Sequence, residues 1–141
     1  IETCDLVRVK DSGGGATVGA AEKLGTGSLE IDGCPMVGCA WAITGDKSAA
    51  TVWRRKNKIY AVEMGKEEKE IGEGKSCTIA SAGGKNVYAW VENGKVVYLL
   101  PDGKKKVVGT GNLPVLKFVN EKEVLCVWEE DKNIKSSLIQ L

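Results

Sequence analysis

The residues that could carry chemistry in this chain are carboxylates, arginines and cysteines, because histidine is absent from its 141 residues. Without an imidazole, the Ser-His-Asp and Cys-His forms of nucleophilic catalysis are excluded. Glycoside hydrolysis is compatible with the composition, since it requires a pair of carboxylates and no histidine. We expect no cofactor.

Two of the five cysteines are closely spaced. Cys34 and Cys39 flank Pro35-Met36-Val37-Gly38, and they form either a disulfide or two unpaired thiols, or they bind a metal. A metal is the least favoured of these, because the pair gives at most two ligands, and no metal site is predicted. Cys77 and Cys126 lie inside apolar runs, which predicts that they are buried as small hydrophobic side chains.

Three of the four tryptophans recur at a nearly constant interval. The distance from Trp53 to Trp90 is 37 residues, and that from Trp90 to Trp128 is 38. This periodicity favours a packing role for the three rings. Trp41 lies outside the period, so it is the better candidate for contact with a ligand, with core packing as the alternative.

An apolar-Gly-x-Gly step precedes each periodic tryptophan, at Leu24–Gly27, Ile71–Gly74 and Val108–Gly111. Between successive steps the pattern predicts four short strands. Asn93-Gly94 is a strong signal for a type I′ hairpin turn. Periods of about 40–50 residues that contain four strands are typical of β-propeller blades.

We therefore predict an all-β chain made of β-propeller blades, each with four antiparallel strands. The boundaries are a blade part at 1–27, blades at 28–74 and 75–111, and an incomplete blade at 112–141. This is an incomplete arc of about three blades, whereas a closed propeller needs about four or more. Because an open arc leaves strand edges unpaired, we expect a larger protein. The partner would be the remainder of the propeller, as missing blades, a second fragment or a second copy.

The first full blade is longer than the others before its tryptophan. The interval from Gly25 to Trp53 is 28 residues, against 18 and 19 in the other two units. The extra residues lie in Ser28–Cys39, and insertions in repeat proteins form loops that are often on the binding face. Asp32 lies within this insertion and Trp41 follows it, so both are candidates for ligand binding.

The charge balance gives no support for a nucleic-acid or membrane partner. The formal net charge is +1, and the run Lys104-Lys105-Lys106 is short enough to be a solvated turn or a protected strand edge. No segment reaches the roughly 18 apolar residues that a membrane-spanning helix needs.

One glycine-rich stretch is similar to the Asp-box pattern S-x-D-x-G-x-T-[F/W] of sialidase-type propellers. It begins at Asp11 and ends at Val18. Gly15 and Thr17 match the pattern. Val18 replaces its aromatic residue, and Asp11 and Gly13 replace its Ser and Asp.

A second stretch, Gly33-Cys34-Pro35-Met36 followed by Gly38, resembles a Cys-Pro-Met segment of bacterial sialidase-like (BNR-repeat) proteins. With the three Gly-x-Gly steps, the resemblance covers almost the whole chain, as the C-terminal part of such a protein. It implies a propeller of about six or seven blades. It also implies an exported protein, located in the periplasm, on the cell surface or outside the cell. The Asp box is a structural turn in this family and carries no catalytic role.

The resemblance also defines what an active site would need. Sialidases hold the substrate carboxylate with three arginines from separate blades, and they use a Tyr/Glu pair and an acidic Asp. Here the arginines are Arg8, Arg54 and Arg55, and the last two are adjacent, so on a strand their side chains point to opposite faces. Arg54, with Tyr60 and Asp32, could be a remnant of that site.

We therefore expect a non-catalytic propeller segment of an exported sialidase-like protein that serves as a binding scaffold for protein or glycan. The alternative is the C-terminal part of a glycoside hydrolase of exo-sialidase type, whose catalytic residues lie mostly in missing blades. The candidate ligand-binding residues are Trp41, Arg54 and Asp32.

Overall fold

The computed structural model describes residues 2–4, 7–9, 19–31, 39–45 and 48–141. Among these residues all the regular structure is β-strand, and no helix occurs. The predicted all-β class is confirmed. The strands are β1 Glu2–Cys4, β2 Val7–Arg8, β3 Glu22–Lys23, β4 Leu29–Ile31, β5 Ala40–Ile43, β6 Ala49–Arg55, β7 Lys58–Glu63, β8 Lys69–Glu73, β9 Lys75–Ala82, β10 Lys85–Glu92, β11 Lys95–Leu99, β12 Lys105–Thr110, β13 Asn112–Asn120, β14 Glu123–Glu130 and β15 Asn133–Gln140.

Strands β5 to β15 form three antiparallel sheets in which neighbouring strands follow the order of the chain. The first sheet contains β5, β6, β7 and β8, and the second contains β9, β10, β11 and β12. The third contains β13, β14 and β15. The other strands form two short antiparallel pairs, β1 with β4 and β2 with β3.

Tight turns allow each strand to return directly beside the preceding one. Between β10 and β11 the turn residues Asn93 and Gly94 have φ angles of 50° and 75°. A type I′ turn requires positive φ at both central positions, and this geometry matches the twist of the flanking strands. The hairpin predicted at this position is confirmed.

The core lies between successive sheets. The first and second sheets enclose one cluster of buried side chains, and the second and third sheets enclose another, so the second sheet is buried on both faces. The first strands of the three sheets lie side by side, with β9 between β5 and β13. The first cluster contains Ala50, Val52, Ile59, Ala61, Cys77, Ile79, Trp90 and Val97. The second contains Ala80, Val87, Ala89, Val91, Val96, Leu100, Leu116, Val124, Cys126, Trp128 and Ile139.

A tryptophan from the second strand of one sheet lies on the bare backbone of the preceding sheet's last strand. A Cβ atom added to Gly72 would lie 2.4 Å from the ring of Trp90, and one added to Gly109 would lie 2.6 Å from the ring of Trp128. Because carbon atoms in contact are about 3.5–4.0 Å apart, a side chain at either glycine would collide with the indole. Both indoles are buried, which confirms their predicted packing role.

The second glycine of each step has a different requirement. Gly74 and Gly111 have φ angles of 139° and 136°, in a region that L side chains rarely adopt. Each donates its N–H to a turn carbonyl between the second and third strands of its own sheet. Gly74 N–H bonds to Asn57 O at 2.8 Å, and Gly111 N–H bonds to Gly94 O at 2.9 Å. The step therefore fixes the end of the fourth strand against the adjacent turn.

A related contact with a tryptophan occurs at the first Gly-x-Gly step, although here the first glycine, Gly25, has the positive φ angle, 76°. A Cβ atom on Gly25 would lie 3.0 Å from the ring of Trp53. Trp53 itself is only 9% exposed. A Cβ atom on Gly27 would lie 1.8 Å from Arg55 Nη1. Residues 24–27 thus cover the first sheet with their backbone, as the later steps cover the second and third sheets.

The repeat is interrupted once. The strand that follows a Gly-x-Gly step begins the next sheet after Gly74 and after Gly111, where β9 and β13 start. After Gly27, however, β4 pairs with β1, and the first sheet starts with β5. Residues 32–38 of the predicted insertion, and residues 11–18 of the Asp-box-like stretch, lie outside the described residues.

The contact between Trp128 and Gly109 gives a direct prediction. The Gly109→Ala variant should lower the free energy of unfolding by about 1–3 kcal/mol, because the new methyl group overpacks the interface. In a Trp128→Ala background the same change should cost less, with a coupling of at least about 0.5 kcal/mol. Urea unfolding followed by circular dichroism measures the parent chain and the three variants, and an equal cost in both backgrounds would contradict the contact.

Candidate functional site

The structure does not bring the predicted ligand-binding residues to one place. Trp41 lies on β5 and is 66% exposed, directly opposite Thr51 in the register. Arg54 is half-buried on β6, three residues beyond Thr51. Since side chains alternate along a strand, Trp41 and Arg54 project from opposite faces of the first sheet. Asp32 lies outside the described residues.

The cysteine pair is described only in part. Cys39 is a free, exposed thiol immediately before β5, whereas Cys34, the other half of the disulfide candidate, lies outside the described residues. No group of three or more metal-ligating side chains is found in the part of the chain that the structure describes. The same residues contain no helix that is long and apolar enough to cross a membrane.

The two adjacent arginines diverge as the strand period predicts. Arg54 lies opposite Ile59, which is fully buried between the first and second sheets, whereas Arg55 stacks on the ring of Tyr60 on the other face. Arg54 Nε is buried and has no hydrogen-bond partner among the described residues. The two guanidinium groups therefore cannot hold one carboxylate together.

Arg55 is the centre of a contact that the sequence did not indicate. Its Nη2 donates to Glu68 Oε1 at 2.7 Å, and its guanidinium carbon lies 3.8 Å from the centre of the Tyr60 ring. Glu68 Oε2 in turn accepts the backbone N–H of Thr26 at 3.1 Å. We name Arg55, Glu68, Tyr60 and Thr26 the arginine clamp. It ties the first Gly-x-Gly step to the first sheet.

Burial makes this ion pair different from a surface pair. The Glu68 side chain is 5% exposed and that of Arg55 is 18% exposed. The hydrogen bond to the Glu68 carboxylate raises the pKa of the Arg55 guanidinium, so this group stays charged. The charged run Glu67-Glu68-Lys69-Glu70 is typical of a solvated segment and gives no sign of a buried carboxylate, because the partner of Glu68 lies 13 residues away in the chain.

The equivalent position of the second sheet holds the same type of pair with opposite sign. Arg55 is the last residue of β6, and Glu92 is the last residue of β10. Glu92 accepts from Lys105 Nζ at 2.9 and 3.0 Å, and it also accepts from Trp90 Nε1 at 3.2 Å. These hydrogen bonds, that from Lys105 first, lower the pKa of Glu92. The repeat preserves the ion pair and exchanges its charges.

An open cleft of about 510 Å³ lies beside the arginine clamp. Its donors include two exposed ammonium groups, an amide and a hydroxyl, and its volume is within the range of small-ligand sites. Such a lining suits a polar or anionic group better than an apolar one. The residues that line it are Ser28, Arg55, Lys56, Asn57, Lys58, Tyr60 and Glu73.

The described thiols divide by burial. Cys77 and Cys126 lie in the two core clusters, which confirms the prediction that they are buried as small hydrophobic side chains. Burial raises the pKa of each thiol to about 11. At neutral pH both are protonated, and the thiol form is a poor nucleophile.

Comparison of the chain with protein-family models, with curated proteins and with solved structures gives no match. Any similarity to sialidase-like propellers therefore depends on the sequence motifs described above.

Removal of the Glu68 charge should show how much the arginine clamp contributes. The Glu68→Gln variant leaves a largely buried guanidinium without its counter-ion, and we expect the free energy of unfolding to fall by about 1.5–3 kcal/mol. The matched control is Glu70→Gln, which breaks the exposed pair with Lys58 and should cost less than about 1 kcal/mol. Equal effects of the two variants in urea unfolding would contradict a special role for the clamp.

Thiol labelling provides an independent check of the core. At pH 8, iodoacetamide should modify Cys39 in the native protein and leave Cys77 and Cys126 unmodified, because a thiol pKa of about 11 leaves few thiolates at that pH. In urea all three should react. Peptide mass spectrometry identifies the modified residues, and labelling of native Cys126 as fast as Cys39 would be inconsistent with this packing.

Proposed function

We propose that this chain is a non-catalytic β-propeller segment of an exported sialidase-like protein and serves as a binding scaffold for protein or glycan. The observation that carries the proposal is the repeated contact between a tryptophan and a Gly-x-Gly step. The contact joins the second sheet to the first at Trp90 and the third sheet to the second at Trp128, and a related contact holds residues 24–27 against the first sheet at Trp53. Repetition of one contact between successive units is the basis of stacked repeat architectures.

The order of the strands supports the interpretation of these units as propeller blades. Each four-stranded sheet is an antiparallel meander whose first strand lies beside the first strand of the next sheet. In a propeller, four-stranded sheets are arranged around a central channel. The blades at 28–74 and 75–111 and the incomplete blade at 112–141 would each contain one of the three sheets.

The exposed aromatic side chain of Trp41 supports a binding role. It is 66% exposed, and Ile43, two residues further on the same face of β5, is 55% exposed. Tryptophan is enriched at the energetic centres of protein interfaces, where it offers a large rigid surface. Trp41 also follows the predicted insertion, so we place the ligand contact at this end of the first sheet.

The contacts of Arg55 favour the scaffold over the hydrolase. Its guanidinium is held by Glu68 and lies over Tyr60, and its Nη1 lies beneath Gly27. An arginine used in this way does not present its donors to a substrate carboxylate. The arginine clamp is therefore better described as a structural contact between the first Gly-x-Gly step and the first sheet.

The binding role is tested with a glycan array that contains neutral and acidic oligosaccharides, probed with the purified chain and with two variants. Trp41→Ala should reduce binding to the recognised glycans at least about tenfold, as expected for a hot-spot aromatic residue. Ile43→Ala, a matched exposed residue on the same strand face, should retain binding within about threefold. The proposal of glycan recognition through Trp41 would be contradicted if Trp41→Ala retained full binding, or if the parent chain bound no glycan.

A further inference from the structure

Within the described part of the chain, the third sheet has an unpaired edge at the position where the other two sheets have a fourth strand. Strands β8 and β12 pair with β7 and β11, whereas β15 pairs only with β14 among the described residues. A free edge presents alternate N–H and C=O groups to any extended segment that approaches it. The other two sheets indicate the chemistry of a segment that would fit.

The first feature is a charge at the end of the second strand of each sheet. Arg55, Glu92 and Glu130 occupy equivalent positions, since each pairs with the first residue of the third strand across a two-residue turn. In the first two sheets this side chain forms a short ion pair with a residue at or just before the fourth strand. Glu68 pairs with Arg55 at 2.7 Å, and Lys105 pairs with Glu92 at 2.9 Å.

Glu130 has no such fourth-strand partner among the described residues. Its carboxylate accepts a hydrogen bond from the Thr110 hydroxyl, and its nearest cation is Lys135 Nζ at 3.8 Å. The ion pairs of the other two sheets are short enough to be charge-assisted hydrogen bonds, whereas the contact between Glu130 and Lys135 is a loose ion pair. The sign of Glu130 requires a basic partner, as in the second sheet.

The second feature is the carbonyl group that receives the end of the fourth strand. In the first two sheets the second glycine of the step donates its N–H to a turn residue, Asn57 or Gly94. The equivalent residue of the third sheet is Lys132, in the turn between β14 and β15. Its carbonyl group is therefore placed to accept the same hydrogen bond.

We propose that the edge of β15 pairs with an extended antiparallel segment that carries Lys or Arg three residues before an apolar-Gly-x-Gly step. The basic residue lies against Glu130, and the second glycine donates to the Lys132 carbonyl. This deepens the scaffold proposal by naming a partner, and it rests on the repeated sheets alone. Loss of glycan binding through Trp41 would leave it intact.

The test uses the chain's own fourth strand as the probe. A synthetic peptide with the sequence of Lys104–Gly111 contains Lys105 three residues before Val108-Gly109-Thr110-Gly111. Added to the ¹⁵N-labelled full chain, it should cause saturable amide shifts at Asn133–Gln140 and at Lys132. Substitution of Val107 by proline in the peptide removes a backbone donor and should abolish binding.

Charge exchange makes the test specific. A peptide with Lys105→Glu should bind the parent chain about two- to fivefold more weakly, and a Glu130→Lys chain should reverse this preference. The exchange copies the difference between the first and second sheets. Binding that is indifferent to both changes would overturn the assignment of Glu130.

Three other outcomes would also overturn the proposal. One is the absence of any shift at millimolar peptide. The second is a set of shifts confined to β11, which would mean that the peptide displaces β12. The third is a set of concentration-dependent shifts on β15 without peptide, which would mean that a second copy of the chain occupies the edge.

Discussion

The positions of the second and third sheets depend on an indole ring that lies against backbone without side chains. Trp90 and Trp128 fit because Gly72 and Gly109 have no Cβ atom at the place that the ring occupies. Trp128 also donates its Nε1–H to the Thr110 carbonyl at 2.9 Å, so a directional hydrogen bond orients the ring in addition to the apolar contact. Trp90 instead donates to Glu92 of its own strand at 3.2 Å. The large apolar surface of the indole is therefore the feature that both boundaries share, and it sets the spacing between neighbouring sheets.

Local patterns in the sequence were sufficient for the strands and for the turns. Asn93-Gly94 adopts positive φ at both positions, as its residue types require, and the periodic tryptophans are buried. The partner of each tryptophan was not predicted. The rings of Trp90 and Trp128 contact a glycine 18 or 19 residues earlier, and the sequence shows these residues but not that they touch. Whether the sheets continue into a ring is likewise a long-range property.

In the candidate site, too, the sequence indicated suitable residue types but not how the strands arrange them in space. Trp41 and Arg54 were selected because their types suit ligand binding, and the alternation of side chains along β5 and β6 separates them. Arg55 forms the most buried of the described ion pairs, and neither its residue type nor its place beside Arg54 indicates this contact. A charged run gives no signal for such a contact, since the burial of Glu68 depends on a segment 42 residues away.

The exchanged signs of the two ion pairs also bear on how the repeats recognise each other during folding. Similar units in one chain can trade strands and become trapped with incorrect partners. If the strand that follows Glu68 joined the second sheet, its carboxylate would face Glu92; if Lys105 joined the first sheet, it would face Arg55. Both errors bring like charges together in a partly desolvated place. Opposite polarity in the first and second sheets therefore favours the correct fourth strand in each and disfavours the exchange of these two strands.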